Sequence, residues 1–509
     1  MTINLIQTAQ ISNITSLVSV SSYEPIEPDL QSYPPATVIN PTLPVLIFSY
    51  NNGYNVAVGV VIGNSAQYIP TNYQQYYAIT PAYHNPILFF ENSAIVLISY
   101  GQLKPLLVFA NPYPAMGVYN MNTNTFTWTE YIFQPTSIFY SWLDSYIDYQ
   151  HQMLYLLALN PNPFIVLLFA IPFSGLPVLL NNLQLPSNFL EASLMIPNGN
   201  STYTPLVPIV VYEEQATPFG VFEMIFYNGT FYIVFIDMNY NIDLWVFSLN
   251  EITWSSTMPS ATTLTIGNVT YTNVPSNLQT IGSVTTIFNT SGSGVGFSAT
   301  FNYYMSNGSI YPEILVVIQW IPTDDLLTIL SIDPSTLSIS TIATIDGDQD
   351  FAPNYVTWYF PAYVSGGLIV MSAQVNNGSQ TINWYIFVYD RNTGDMALFP
   401  PPNNVILALP AEGGYVITLT GSSTNVTITV YQVTSDSAPV LTNITFQNNT
   451  ITGTAMDLVS NIPVSGVVVA LFQLESQGGY NFAGEIIATT TTDSNGNFSF
   501  QVSQPGYYA

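Results

Sequence analysis

The sequence predicts an all-β protein: a strand-turn-strand unit repeated along most of the chain, then a small domain of different texture. Three observations carry this. Runs of about four to eight residues rich in Val, Ile, Tyr, Phe and Thr, bounded by Asn, Gly, Pro and Ser, recur throughout, with almost no helical periodicity. Four segments share one plan of apolar strand, polar turn and outgoing strand: Gly117 to Tyr131, Leu244 to Ser256, Leu330 to Ile342 and Ile386 to Phe399. From Ser435 onward the pattern changes.

In chain order, residues 1–38 are polar and dotted with proline, so they read as an N-terminal arm, free to dock on a partner or to close the repeated region as a strand. A first repeat falls near Gly63-Asn64, and weaker ones near Ser174 and Gln432, giving six or seven units within 39–437. Pro163 to Leu180 is long and apolar enough to suggest a membrane span. Pro172, Gly175 and Pro177 break it, and two buried strands joined by a turn are expected instead. Ser435 to Asn443 has linker composition, and 438–509 form the last domain.

The pattern Val388-Tyr389-Asp390 followed by Thr393-Gly394, with Gly366-Gly367 and Gly413-Gly414 each opening an apolar strand, resembles the blades of Kelch-type β-propellers. The resemblance implies a β-propeller of six or seven blades, in which radial repetition leaves only short, protected sheet edges. A string of β-sandwiches is the alternative. In the last domain Gly453, Asp457, Gly466, Thr492, Asp493, Gly496, Phe498, Phe500, Pro505, Gly506 and Tyr507 resemble the pattern of carboxypeptidase-regulatory-like, or Cna-B-like, domains. That resemblance implies a small Ig-like β-sandwich. Its pattern runs out at Pro505-Gly506-Tyr507, one strand short, so the domain is expected to be incomplete at its C-terminus, through truncation or through a strand donated by a partner.

Charge narrows the function classes. The chain has 29 acidic residues against Lys104 and Arg391 alone, a formal net charge of −27 at pH 7, with charged residues only 6% of the whole. Nucleic acid is excluded as a partner, because phosphate tracking needs clustered Lys and Arg. A halophile's dense carboxylate coat is not present. In strong acid most Asp and Glu would be protonated, and a chain nearly free of Lys and Arg then escapes cationic self-repulsion. An acidic exterior is the expected environment. There is no cysteine, so no disulfide, thiolate metal site or thiol nucleophile. The first 25 residues lack a signal peptide's basic and apolar regions.

No residues form a convincing catalytic set. His84 and His151 are far apart and read as surface or turn residues. Glu213-Glu214 and Asp324-Asp325 are adjacent, so on a strand each pair points to opposite faces, whereas a glycosidase needs two carboxylates across a cleft. Asp346, Asp348 and Asp350 alternate as oxygen ligands to a hard cation such as calcium would, the alternative being a solvated acidic turn; no other cofactor is expected. Eleven Asn-x-Ser/Thr sequons permit glycosylation, at Asn13, Asn200, Asn228, Asn268, Asn289, Asn307, Asn377, Asn425, Asn443, Asn448 and Asn497.

Low charge, absent cysteine, Tyr- and Asn-rich strands and sequons together resemble surface proteins of thermoacidophilic archaea and their viruses, including the turret or petal appendages of virions. The resemblance implies a non-enzymatic structural or attachment protein at the virion surface or outside the cell, an oligomer being compatible with this. Its C-terminal domain would join it to other virion or surface-layer proteins, and its propeller would bind a host pilus, surface-layer protein or glycan. A secreted cellular adhesin and an acid-stable glycan hydrolase are the alternatives.

Overall fold

The computed structural model describes Thr2–Ser12 and, with short gaps, 45–102, 113–129, 141–197, 222–473 and 485–502; side chains are described from His151 on. The apolar runs become antiparallel strands. Seven open sheets of three to five strands follow one another among the described residues. The first contains Val45–Asn51, Asn55–Ile62 and Ser65–Gln74. In the second, Tyr77–Pro81 and Ile87–Phe90 both pair with Ser93–Gln102, which leads through Tyr113–Asn120 to Thr125–Thr129. The third has Ser141–Asp148, Met153–Pro161, Phe164–Pro172 and Leu190–Met195, with Gln279–Thr280 added in parallel.

The fourth sheet runs Phe222–Tyr227, Thr230–Ile236, Ile242–Ser248 and Ser283–Phe288. The fifth runs Val295–Ser306, Ser309–Trp320, Leu326–Ile332 and Ile339–Asp346. The sixth runs Tyr355–Ser365, Leu368–Asn376, Ile382–Asp390 and Met396–Phe399. The seventh has Leu407–Ala411, Tyr415–Ser422 and Asn425–Thr434, and its fourth strand is Thr2–Ser12 from the other end of the chain. Thr2–Ser12 also touches Ser65–Gln74 of the first sheet.

Sheets three to six bury both faces, which is why their middle strands read as unbroken apolar runs rather than as alternation. Tyr155, Leu157, Val166 and Leu168 of the third pack against Phe226, Phe231, Trp245 and Phe247 of the fourth. Val234 and Leu244 meet Phe297, Val316 and Leu330 of the fifth. Leu315, Leu327 and Ile329 meet Trp358, Met371 and Phe387 of the sixth. Val370 and Val388 meet Tyr431 and Val433 of the seventh.

Turn chemistry sets the hairpins. Asn228 and Gly229 both have positive φ, 48° and 70°, the mirror-image turn that a two-residue hairpin prefers. The Leu330 to Ile342 and Ile386 to Phe399 units share an aspartate-anchored turn. Asp333 Oδ1 accepts from the Ser335 and Thr336 amides, and Asp390 Oδ1 from those of Asn392 and Thr393. The left-handed position is Leu337 in one and Gly394 in the other.

The structure corrects three expectations. After the strand Phe164–Pro172 the apolar run becomes a 3-10 turn, Phe173–Gly175, and a helix, Leu176–Asn182, not a second strand. No helix among the described residues is long and apolar enough to cross a membrane. The Leu244 to Ser256 unit has no immediate outgoing strand. A capping box formed by Ser248 and Glu251 turns the chain into an excursion that carries a separate hairpin, Ala261–Ile266 with Val269–Pro275, before Ser283–Phe288 completes the sheet. The strand Val440–Gln447 begins inside the stretch read as linker. Of the two readings of the N-terminal segment, a docking arm or a closing strand, Thr2–Ser12 takes the second and is a strand.

Beyond the seventh sheet, Val440–Gln447, Thr450–Asp457, Ile462–Pro463 and Asn497–Gln501 form one sheet, and Val468–Gln473 with Glu485–Thr491 a second. They share a small core of Val469, Leu471, Phe498 and Phe500. Gly453 and Gly496 are required there. A Cβ on Gly453 would lie 2.5 Å from the Phe498 ring, and one on Gly496 2.7 Å from the Ala455 carbonyl. Pro505, Gly506 and Tyr507 lie outside the described residues.

Candidate functional site: carboxylates between the sheets

In a chain so poor in charge, an acidic residue inside an apolar strand stands out, and three glutamates do so: LEASLM, FEMIFY and PEILVV contain Glu191, Glu223 and Glu313. All are at most 4% exposed, and each joins two neighbouring parts of the fold. Burying a carboxylate is costly unless every oxygen finds a donor, so the partners decide what each does.

Glu223 lies on the first strand of the fourth sheet. It accepts from the Ala299 amide and, at 3.3 Å, from the Ser298 hydroxyl, both on the first strand of the fifth. Ser298 Oγ in turn accepts from the Ala362 amide of the sixth at 3.2 Å. One carboxylate thus ties together the first strands of three successive sheets.

Glu313 accepts from Asn302 Nδ2 at 2.8 Å, from the Ser331 hydroxyl at 2.5 Å and from Arg391 Nε and Nη2 at 3.3 and 3.2 Å. Arg391 reaches it from the aspartate-anchored turn of the sixth sheet, its guanidinium 4.4 Å from the centre of the Tyr304 ring. Its amide donates to Gly367 O, and Gly367 has φ +85°. Of the two permanent cations in the sequence, one is therefore spent on a buried glutamate between sheets.

Glu191 has no exposed surface. Ser193 Oγ donates to it at 2.5 Å and the Asn277 side chain contacts it at 2.6 Å, tying the third sheet to the excursion from the fourth. Burial raises its pKa above the ordinary 4.5, against the opposing effect of those two hydrogen bonds.

A fourth group sits at the end of the fourth sheet remote from the Asn228-Gly229 turn. Asp237 accepts from the Asn241 amide and side chain at 2.7 and 3.2 Å. Asp243 is 5% exposed, and its Oδ1 is buried without a hydrogen-bond partner. Burial first, and then the negative charge of Asp237, raise the Asp243 pKa, while a hydrogen bond from Thr286 opposes the rise.

The residues singled out by sequence are not brought together at this site. Asp346, Asp348 and Asp350 belong to the turn Gly347–Asp350 and each turns to a different backbone amide. Asp346 Oδ1 accepts from Gln349 N, Asp348 Oδ1 from Val356 N and Asp350 Oδ2 from Asp346 N, at 2.9 to 3.0 Å. No group of three or more His, Cys, Asp or Glu side chains suited to a metal ion occurs among the described residues. His151 is exposed in a turn; His84 and Glu213-Glu214 lie outside the described residues. Among the sequons, Asn228, Asn289, Asn443, Asn448 and Asn497 are exposed, and Asn425 begins a strand. Asn13, Asn200, Asn268, Asn307 and Asn377 lie outside the described residues.

No family model matches the chain, and no curated protein sequence does. Among solved structures, a putative 6-phosphogluconolactonase from Bacteroides uniformis is 12% identical with a TM-score of 0.35, covering 83% of this chain and 94% of that one. The polysaccharide lyase Uly1 is 11% identical with a TM-score of 0.32, over 77% and 90%. The β-propeller domain of the Trilobed protease from Pyrococcus furiosus is 9% identical with a TM-score of 0.29, over 69% and 94%. These scores are too low to establish a shared fold, so the architecture rests on this chain's own strands and packing.

Proposed function

We propose that the protein is an acid-adapted structural and attachment protein, exposed on a virion or outside an acidophilic cell, that recognises a host pilus, surface-layer protein or glycan. Its seven sheets are read as the blades of a β-propeller, with Thr2–Ser12 clasping the last blade, and 440–501 as an Ig-like sandwich linking it to a larger assembly. The observation that carries this reading is the way the sheets are joined. Of the three buried glutamates, Glu223 and Glu191 are held by hydroxyl, amide and backbone groups with no cation, so these two joints do not depend on ion pairs that strong acid would dissolve; the Glu313 joint alone uses Arg391. The exposed sequons suit glycosylation outside the cell. Electron microscopy with an antibody against 40–437 tests the reading: label on virions or on the cell exterior is the expected outcome, and label confined to the cytoplasm overturns it.

The buried carboxyl of Asp243, whose pKa burial raises, favours a second reading, an acid-stable glycan hydrolase with Asp243 as the proton donor. Sugar release from surface glycans at pH 3, abolished by Asp243→Asn with the fold intact, would establish it.

A further inference from the structure

The excursion spanning 253–282 is held against the third sheet by a clasp centred on Glu191. The Glu191 amide donates to Ser255 O at 2.7 Å and the Ser255 amide to Glu191 O at 2.8 Å. The Gln279 side chain closes on both backbone groups of Thr253, at 2.9 and 2.8 Å. Gln279–Thr280 pairs in parallel with Leu194 and Met195.

The side chain at the centre of this clasp has only neutral company. No Asp, Glu, Lys, Arg or His occurs between Glu251 and Glu313, on Phe164–Pro172 or on Leu176–Asn182, and Glu191 is the one charged residue of its own strand. The phenols on these elements are Tyr155 and Tyr271; beyond them the fourth sheet packed on the third carries Glu223, Tyr227, Tyr232 and Asp243, Glu251 closes the turn before the excursion, and no charged group is among the causes of the raised Glu191 value.

Two details concern the proton. The 2.6 Å separation between Glu191 Oε2 and the Asn277 amide is short for N–H···O but ordinary for O–H···O. With Nδ2 turned to Glu191, moreover, Asn277 Oδ1 is buried with no partner. Turning the amide over, a choice open to any asparagine, places Oδ1 against the carboxyl group, where a carboxyl proton bridges the two oxygens.

We infer that Glu191 is held as the neutral acid and donates its proton to the amide oxygen of Asn277, so that the excursion is fastened in acid and loosened toward neutral pH. The inference does not depend on the attachment reading. Its sign follows from linkage. A released Glu191 has the ordinary value of 4.5 and the clasped one a higher value, so between them release becomes about tenfold easier per pH unit. What acid fastens includes the base of the projecting hairpin Ala261–Pro275, closed by Ser260 and Ser276.

Hydrogen exchange on the full chain tests this, with rates corrected for the intrinsic effect of pH. Amides of 253–282 should lose protection between pH 4 and pH 7, while Thr230–Ile236 stays protected. Glu191→Gln should keep the segment protected at both values. Equal protection of the wild-type segment at both pH values, or the same loss in Glu191→Gln, overturns the inference. If Glu191→Gln does not fold, infrared spectroscopy decides. A protonated-carboxyl band that persists above pH 4.5 and shifts in Asn277→Ala supports the inference, and no such band contradicts it.

Discussion

Arg391 illustrates how much one residue does in a chain with so few charges. It is the cation on a glutamate whose side chain is 1% exposed, and it also covers the Tyr304 ring. Arg391→Met should cost about 3 kcal/mol in urea unfolding at pH 7, because it strands a buried carboxylate. An unchanged unfolding free energy would show that the pair contributes nothing to stability. The Glu313 partnership was not legible in sequence, since Asn302 and Ser331 come from two separate strands and Arg391 from a turn. A usable signal was present all the same. Glu191, Glu223 and Glu313 interrupt apolar strands in a sequence of which only 6% is charged. By contrast, Asp346, Asp348 and Asp350 looked like ligands because they alternate, yet a helical turn swings alternate residues apart and gives each carboxylate a backbone amide to cap.

At the scale of elements, hairpins with strong turn chemistry were legible from local sequence, as at Asp333 and Asp390. The excursion was not. Leu244 to Ser256 carries the same polar turn as its counterparts, but Ser248 and Glu251 close a capping box that starts a 3-10 turn where an outgoing strand was expected. Gly282 marks the return to the fourth sheet, with φ +75° and an added Cβ only 2.2 Å from Val246 O. Gly282→Ala should therefore destabilise by at least about 2 kcal/mol, combining left-handed strain with overpacking. Gly229→Ala, at φ +70° with open space around it, should cost less, and thermal melts of the two variants would rank them. Removing residues 2–12 should expose the Asn425–Thr434 edge and lower the melting temperature, with aggregation at high concentration as the accompanying sign. An unchanged melt would show that the pairing contributes nothing to stability.

For the whole molecule, the all-β class and the change of texture after Ser435 followed from periodicity. The pairing of Thr2–Ser12 with Asn425–Thr434 did not, because no local pattern records a partner more than four hundred residues away. The central claim is that this framework is built for acid, and the titrating groups fix its sign. Glu191 and Asp243 have raised values, so the stability they confer is full below their ordinary 4.5 and 3.8 and is lost as pH rises through the raised values. Asp333 is lowered, mainly by the Ser335 hydroxyl, and Asp493 by the amides of Asn497 and Asn495. Their contribution is present above 3.8 and disappears as pH falls through the lowered values. Mutual repulsion within a net charge of −27 at pH 7 also fades in acid. The most direct measurement is the unfolding free energy from pH 2 to pH 8 in urea at constant ionic strength. Stability should rise from neutrality to a maximum near pH 4 and decline only below that; a maximum at neutral pH with steady loss through pH 6 and 5 would contradict an acid-built framework.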